Sequence, residues 1–279
     1  MSASVGRGVA VVDGVRLAYR RAGTEGPPVV LLHGAGVDDS AVSYGDTIPS
    51  LAADHRVYAL DWPDYGDSGP VAEHSTATYA DLLTGFLADQ DLESPTVVGL
   101  SMGGAAALTA ALETPDLVGR LVLAASYGLG GRVPAGSLWY WLAHTPGANT
   151  VGWNLLSTSE SAVRSYLSII VTDVDALAPS FVAAVRERAG DPGAGEAFAE
   201  FQRNEVRPDG RVRTDLTDRL ADVRVPTHLV HGRSDPVFPV EWSRRASERI
   251  PDATLSELDC GHWLPRERPA AFEAAVRGE

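Results

Sequence analysis

The stretch Pro95-Thr96-Val97-Val98-Gly99-Leu100-Ser101-Met102-Gly103-Gly104 decides how the chain is read. Its first six residues form a short continuous apolar run, which suits a strand buried on both faces of a parallel sheet. Residues 102–113 are small and apolar, as a helix packed hard on a sheet would be. The junction reads Gly-x-Ser-x-Gly, whose physical logic is a sharp, strained turn that holds the serine Oγ out above the sheet. Glycines at 99 and 103 let neighbouring backbone come close without Cβ clashes. The Met102 N–H then lies at a helix N-terminus and can donate to developing negative charge. An ordinary Gly-rich turn between strand and helix has the same local look, so the rest of the chain must supply partners for the serine.

Working outward, further runs of the same kind occur at 28–32, 56–60, 120–125, 226–231 and 253–258. Residues 8–12 and 15–20 flank Asp13-Gly14, a hairpin-turn dipeptide. Helical patterns alternate with the runs. Residues 77–90 place Tyr79, Leu82, Leu83, Phe86 and Leu87 on one face, and 240–250 and 268–277 also read as helix. Such alternation predicts a doubly wound α/β sheet with right-handed crossovers. The pattern breaks between about 128 and 210, which holds no good strand run. An 80-residue structureless loop inside a compact domain is implausible, so this stretch is expected to be a helical insertion over one end of the sheet.

A serine at its free pKa is a weak nucleophile and needs a base oriented by an acid. The base expected is His262, in Asp259-Cys260-Gly261-His262-Trp263 after the last strand run. The acid expected is Asp235, just beyond the run at 226–231. Carboxyl ends of strands in an open sheet face one crevice, so Ser101, Asp235 and His262 should converge there. The other place for an acid, after 120–125, reads Ser126-Tyr127-Gly128 and offers no carboxylate. Asp259 is only three residues from His262, an awkward reach. His228 and His231 read as core histidines, while His55, His74 and His144 read as surface or insertion residues. His33-Gly34-Ala35-Gly36 follows the run at 28–32, where a loop can contribute a second backbone donor to an oxyanion hole. That donor is assigned to Ala35, with His33 fixing the loop. Met102 supplies the other.

Composition sets the outer bounds. The chain has 279 residues with 44% hydrophobic and 22% charged, a globular balance that excludes a largely disordered chain. There is no run of about 18 apolar residues and no apolar signal-peptide core, so a soluble, cytoplasmic protein is expected. The single cysteine, Cys260, excludes an internal disulfide and reads as a small buried residue. All 23 basic residues are arginine, against 37 acidic ones, for a net charge of −14. That balance disfavours nucleic acid and anionic membrane as partners. It fits adaptation to high salt, where carboxylate repulsion is screened, or equally a GC-rich genome. No His, Cys or carboxylate cluster has metal-ligand spacing, and a phosphate loop with its lysine is impossible. The expected partner is a small-molecule substrate, for a monomer or homodimer.

These motifs together resemble the α/β-hydrolase fold family, in its small, capped, serine-dependent branch. Asp61-Trp62-Pro63-Asp64-Tyr65-Gly66-Asp67-Ser68 is similar to the family's D-x-P-G-x-G-x-S loop, with Asp64 in place of a glycine. Aspartate tolerates left-handed backbone, so a local adjustment is expected there. The resemblance implies a mostly parallel eight-stranded sheet built from residues 1–127 and 211–279, with 128–210 as a helical cap. It implies no cofactor. Ser101 excludes the aspartate-nucleophile dehalogenases and epoxide hydrolases, and HGAG-Val37 departs from proline iminopeptidases. The carbon–carbon hydrolases usually carry HGxGPG, which Val37-Asp38-Asp39 does not match. Ester hydrolysis is the leading expectation, ahead of carbon–carbon hydrolysis, perhydrolysis or a slow-turnover ligand-binding role. Trp139, Trp141 and Trp263 are candidates for the pocket wall, although the cluster at 139–141 reads equally as the cap's own small core.

Overall fold

In the computed structural model, which describes residues 4–279, the apolar runs become one eight-stranded sheet. The strands are β1 (Gly6–Val12), β2 (Val15–Ala22), β3 (Pro28–Leu32), β4 (Arg56–Leu60), β5 (Thr96–Leu100), β6 (Arg120–Ala124), β7 (Thr227–Gly232) and β8 (Ala253–Leu258). They lie in the order β1-β2-β4-β3-β5-β6-β7-β8. From β4 to β8 the strands are parallel, and the β1–β2 hairpin closes one edge in antiparallel register. Asp13 and Gly14 make its turn at φ 49° and 80°, the positive values that a two-residue turn of this hand requires.

Burial on both faces explains why the runs do not alternate with polar residues. In β3, Val30 and Leu32 join one apolar cluster and Val29 and Leu31 the other. The first cluster takes in helices α3 (Thr76–Asp89) and α4 (Met102–Glu113) through Tyr79, Leu83, Phe86 and Ala105–Ala107. The second takes in α1 (Ser40–Tyr44) and α2 (Thr47–Leu51) through Tyr44 and Leu51.

Five helices lie between β6 and β7: α5 (Gly136–His144), α6 (Ala148–Ser157), α7 (Glu160–Leu167), α8 (Pro179–Ala189) and α9 (Glu196–Glu205). After β7 come α10 (Val240–Arg249), α11 (Leu264–Glu267) and α12 (Pro269–Arg277). The inserted helices are tied to loops at the carboxyl ends of the strands. Arg188 Nε of α8 donates to Asp39 Oδ2 at 2.5 Å. Glu205 of α9, itself buried, accepts from the Thr76 N–H at 2.8 Å. The His262 N–H donates to the carbonyl of Ile170 at 2.8 Å.

One expectation is corrected here and another is narrowed. Trp141 is 62% exposed. Its neighbour Trp139 packs against the core, with its ring 6.5 Å from Phe198. Residues two apart on a helix point about 200° apart, so α5 cannot bury both. His74, expected at the surface, is buried, with Nδ1 2.8 Å from Tyr79 Oη and Nε2 3.2 Å from Asp64 Oδ2. Asp64 takes the left-handed backbone (φ 61°) that its place in the loop demands.

Candidate active site

Ser101 sits at φ 52°, ψ −115°, between β5 and α4. The flanking glycines are a steric necessity. A Cβ on Gly99 would lie 2.4 Å from the Gly103 carbonyl oxygen, and one on Gly103 would lie 2.6 Å from that of Leu32. The Ser101 N–H donates to Ala124 at 2.9 Å, and its carbonyl accepts from the Tyr127 N–H at 3.0 Å. Strain of this kind persists only where surrounding structure over-determines it, and here both neighbouring strand ends do so. Met102 begins α4, leaving its N–H at the helix N-terminus.

Asp235 lies in the loop after β7 and its side chain is sealed from solvent. Its Oδ1 accepts the N–H groups of Val237 (2.7 Å) and Phe238 (3.0 Å). Its Oδ2 faces His262 Nδ1 at 2.7 Å. A carboxylate there fixes the tautomer with the proton on Nδ1, freeing Nε2 to take one. The Phe238 ring stands edge-on to the imidazole at 5.4 Å. No hydrogen bond joins Ser101 Oγ to His262 among the described residues. Catalytic hydrogen bonds are often long before substrate binds. Asp259 is engaged elsewhere, with Arg233 Nη1 at 2.5 Å.

A second imidazole reaches Asp235. His231, fully buried at the end of β7, places Nε2 3.2 Å from Asp235 Oδ2 and 3.1 Å from the Phe238 carbonyl. Since a carbonyl only accepts, Nε2 carries the proton, and Nδ1 accepts from Ser243 Oγ at 2.7 Å. Burial raises the Asp235 pKa, but His262 and His231 outweigh it and hold the carboxyl well below its usual range. The sequence reading places His231 in the core, which is correct. Its contact with the acid was legible only as the i, i+4 spacing to Asp235, across a turn whose path the sequence does not reveal.

The loop after β3 runs under Ser101. A Cβ on Gly34 would lie 3.4 Å from both Ser101 Cβ and Asp38 Oδ2. His33 is buried, donates from Nδ1 to the Gly34 carbonyl (2.8 Å) and accepts the Trp62 N–H at Nε2 (3.1 Å). Burial lowers its pKa, so it is a neutral loop strut. Asp38 accepts from the Gly34 N–H (2.9 Å), the Asp39 N–H (2.8 Å) and Ser43 Oγ. Burial pushes its carboxyl up to about 6. Trp263 is buried, its Nε1 donating to Ser43 Oγ at 2.9 Å and its ring edge-on to Phe181 of α8 at 4.9 Å. That contact makes it a strut between the histidine loop, α1 and the inserted helices. Above Gly36, a Cβ would meet Tyr166 Oη at 3.7 Å and Trp153 Cη2 at 3.8 Å, so aromatic rings of α6 and α7 overhang this loop. Neither was singled out in the sequence. Burial pushes the Cys260 thiol up to about 12. Among the described residues, no group of three or more His, Cys, Asp or Glu side chains could hold a metal ion, and no helix is long and apolar enough to cross a membrane.

Comparison with known proteins shows the family. Residues 29–275 match the alpha/beta hydrolase family. The chain is 29% identical to a 2-hydroxy-6-oxononadienedioate/2-hydroxy-6-oxononatrienedioate hydrolase of Cupriavidus pinatubonensis, covering 98% of this chain and 94% of the relative. It is 30% identical to a 2-hydroxy-6-oxo-2,4-heptadienoate hydrolase of Pseudomonas putida, over 98% and 95%. The solved meta-cleavage product hydrolase of Pseudomonas fluorescens IP01 superposes with a TM-score of 0.78 at 26% identity, over 98% and 96%. The eight-stranded sheet, the strained serine turn and the match across almost the whole chain place this protein in the alpha/beta hydrolase family.

Proposed function

We propose that the protein is a serine hydrolase of carboxylic esters, with Ser101 as nucleophile, His262 as base and Asp235 as the orienting acid. The carrying observation is the 2.7 Å Asp235–His262 bond, made from the loop after β7 to the loop after β8, in a chain that also strains Ser101 to φ 52°. Ser101 Oγ attacks the carbonyl carbon and its proton passes to His262 Nε2. The carbon–oxygen bond breaks and the alcohol leaves with that proton. Water then attacks the acyl-enzyme, giving its proton to His262, and the acid departs as Ser101 regains a proton. The N–H groups of Ala35 and Met102 are assigned to the oxyanion. Helices α5–α9, within residues 128–210, act as a cap over the small-molecule substrate.

A second reading is hydrolysis of a carbon–carbon bond, which the names of the relatives favour. The same triad balances that reaction, with the leaving group taking the proton at carbon instead of oxygen. The ester reading is preferred because Val37-Asp38-Asp39 departs from the HGxGPG loop of the carbon–carbon hydrolases. The test is a substrate panel of p-nitrophenyl esters and a 2-hydroxy-6-oxo-dienoate, with wild type and Ser101→Ala. Ester turnover that disappears in the variant supports the first reading. Turnover of the dienoate alone replaces it with the second.

A further inference from the structure

We infer that Asp38 is a specificity-determining residue: its buried carboxylate behind the Gly34 peptide makes the site reject acyl groups that carry a negative charge, so the substrate class is esters of uncharged acids. The inference rests on Ser101 being the nucleophile, as proposed above.

Position comes first. Asp38 Oδ2 and Ser101 Cβ lie within 3.4 Å of one point, the Cβ position of Gly34. The carboxylate is thus separated from the nucleophile by a single peptide. Charge comes second. Ser43 Oγ receives the Trp263 Nε1–H, so its own proton goes to Asp38. Together with the N–H groups of Gly34 and Asp39, this aims three donors at Asp38 and holds the ionised form above about pH 6, the value to which burial raises it.

Compensation comes third, and it is weak: among the described residues no guanidinium lies within ion-pair distance of Asp38, and Arg266 acts on it only from farther off. His33 Nδ1, at 4.0 Å, is neutral. The hydroxyls of Tyr44, Tyr65 and Tyr166 feel Asp38 and carry no charge. Arg188 is held by Asp39 (2.5 Å) and Asp191 (3.0 Å). Arg266 is held by Asp46 (2.5 Å) and by the carbonyls of Val42 (2.6 Å) and Ala41 (2.8 Å). Asp61, also buried and raised to about 6, adds a further negative charge after β4. An incoming carboxylate would therefore meet a buried negative charge whose neighbouring guanidiniums, Arg188 and Arg266, are engaged by other groups.

The test reads Ser101 labelling, which needs no assumption about the bond the enzyme cleaves. Two alkyl fluorophosphonates are compared, one chain ending in a methyl ester and the other in a carboxylate. In each, the Oγ–P bond forms, P–F breaks and the serine proton goes to His262. At pH 8 the neutral probe should react faster by roughly 10- to 50-fold, the scale of two unit charges about 7–10 Å apart at an effective dielectric near 20. The preference should persist in 1 M salt, since buried charges are screened far less than the acidic surface. It should shrink as pH falls through about 6, where Asp38 takes up a proton, and reading the ratio of the two rates removes any effect of pH common to both probes. It should also shrink in Asp38→Asn at pH 8. Equal labelling by both probes, or a preference that vanishes in 1 M salt, overturns the inference. So does a preference unchanged in folded Asp38→Asn. The wild-type pH and salt arms decide the matter if that variant does not fold. Esters left unhydrolysed by a protein that labels selectively would defeat the ester reading alone.

Discussion

The loops after β7 and β3 each bury a carboxylate beside the candidate active site, yet burial ends differently in the two. Asp235 and Asp38 both lose their water, and in both this raises the pKa. Asp235 is met by two imidazoles as well as two N–H groups, and its carboxyl falls well below the usual range. Asp38 is met by two N–H groups, one hydroxyl and, only at 4.0 Å, the buried imidazole of His33, and it stays up at about 6. The difference teaches that dipoles and one distant imidazole only partly offset the desolvation of an ion, whereas two imidazoles in direct contact reverse it. In the proposed mechanism the first charge would stabilise an imidazolium. The second has no cation in direct contact, which leaves it able to select against like-charged ligands.

The most severe way to probe the first loop is through what it serves. Ser101→Ala should cut turnover of a neutral ester by roughly 10⁴–10⁶, read as initial rates on folded protein. Asp235→Asn should cut it by about 10⁴, because an amide no longer imposes the Nδ1–H tautomer on His262. A loss of under tenfold in either would break the assignment of roles.

Stability against pH sharpens the contrast between the loops. Asp38 has a folded pKa raised to about 6 from 3.8, so its contribution is fully present below the unfolded value and is lost as pH rises through about 6. At 1.36 kcal/mol per unit, that loss amounts to about 3 kcal/mol at most. Asp235 has the opposite sign: its contribution is present above 3.8 and is lost as pH falls below that. Asp38→Asn should thus compare better with wild type in urea midpoint at pH 7.5 than at pH 4.5. A constant difference across that window would show that Asp38 does not titrate there. The smallest expected effect belongs to His231. Its replacement by Phe removes one of two imidazoles from Asp235 Oδ2 and should lower kcat by about 10–10², the scale set by the loss of one charge-assisted bond. His231→Gln, which keeps a donor, should recover part of the loss, and an effect on KM alone would mark a purely structural role.

Much of this was readable along the chain. Apolar runs lie within a residue or two of the strands because both sheet faces are buried, so every residue from Val29 to Leu32 had to be apolar. The serine turn was readable because glycine is the only residue that fits at 99 and 103. Asp235 and His262 were readable because each follows a strand run and the carboxyl ends of parallel strands meet. Less was legible in the insertion. Periodicity shows that one face of α5 is apolar, but Trp139 and Trp141 are equally apolar, and only packing against Phe198 settles which turns inward.

The sequence by itself determined the sheet and the strained serine turn and singled out Asp235 and His262 as candidates, since each depends on residues next to one another in the chain or on the ends of strands. Tertiary structure alone decided the surroundings of the two carboxylates. His231 reaches Asp235 because the turn after β7 folds back, and Ser43 joins Trp263 to Asp38 across 220 residues. The physical reason is that desolvation and pairing depend on distance in space, and a linear pattern carries neither.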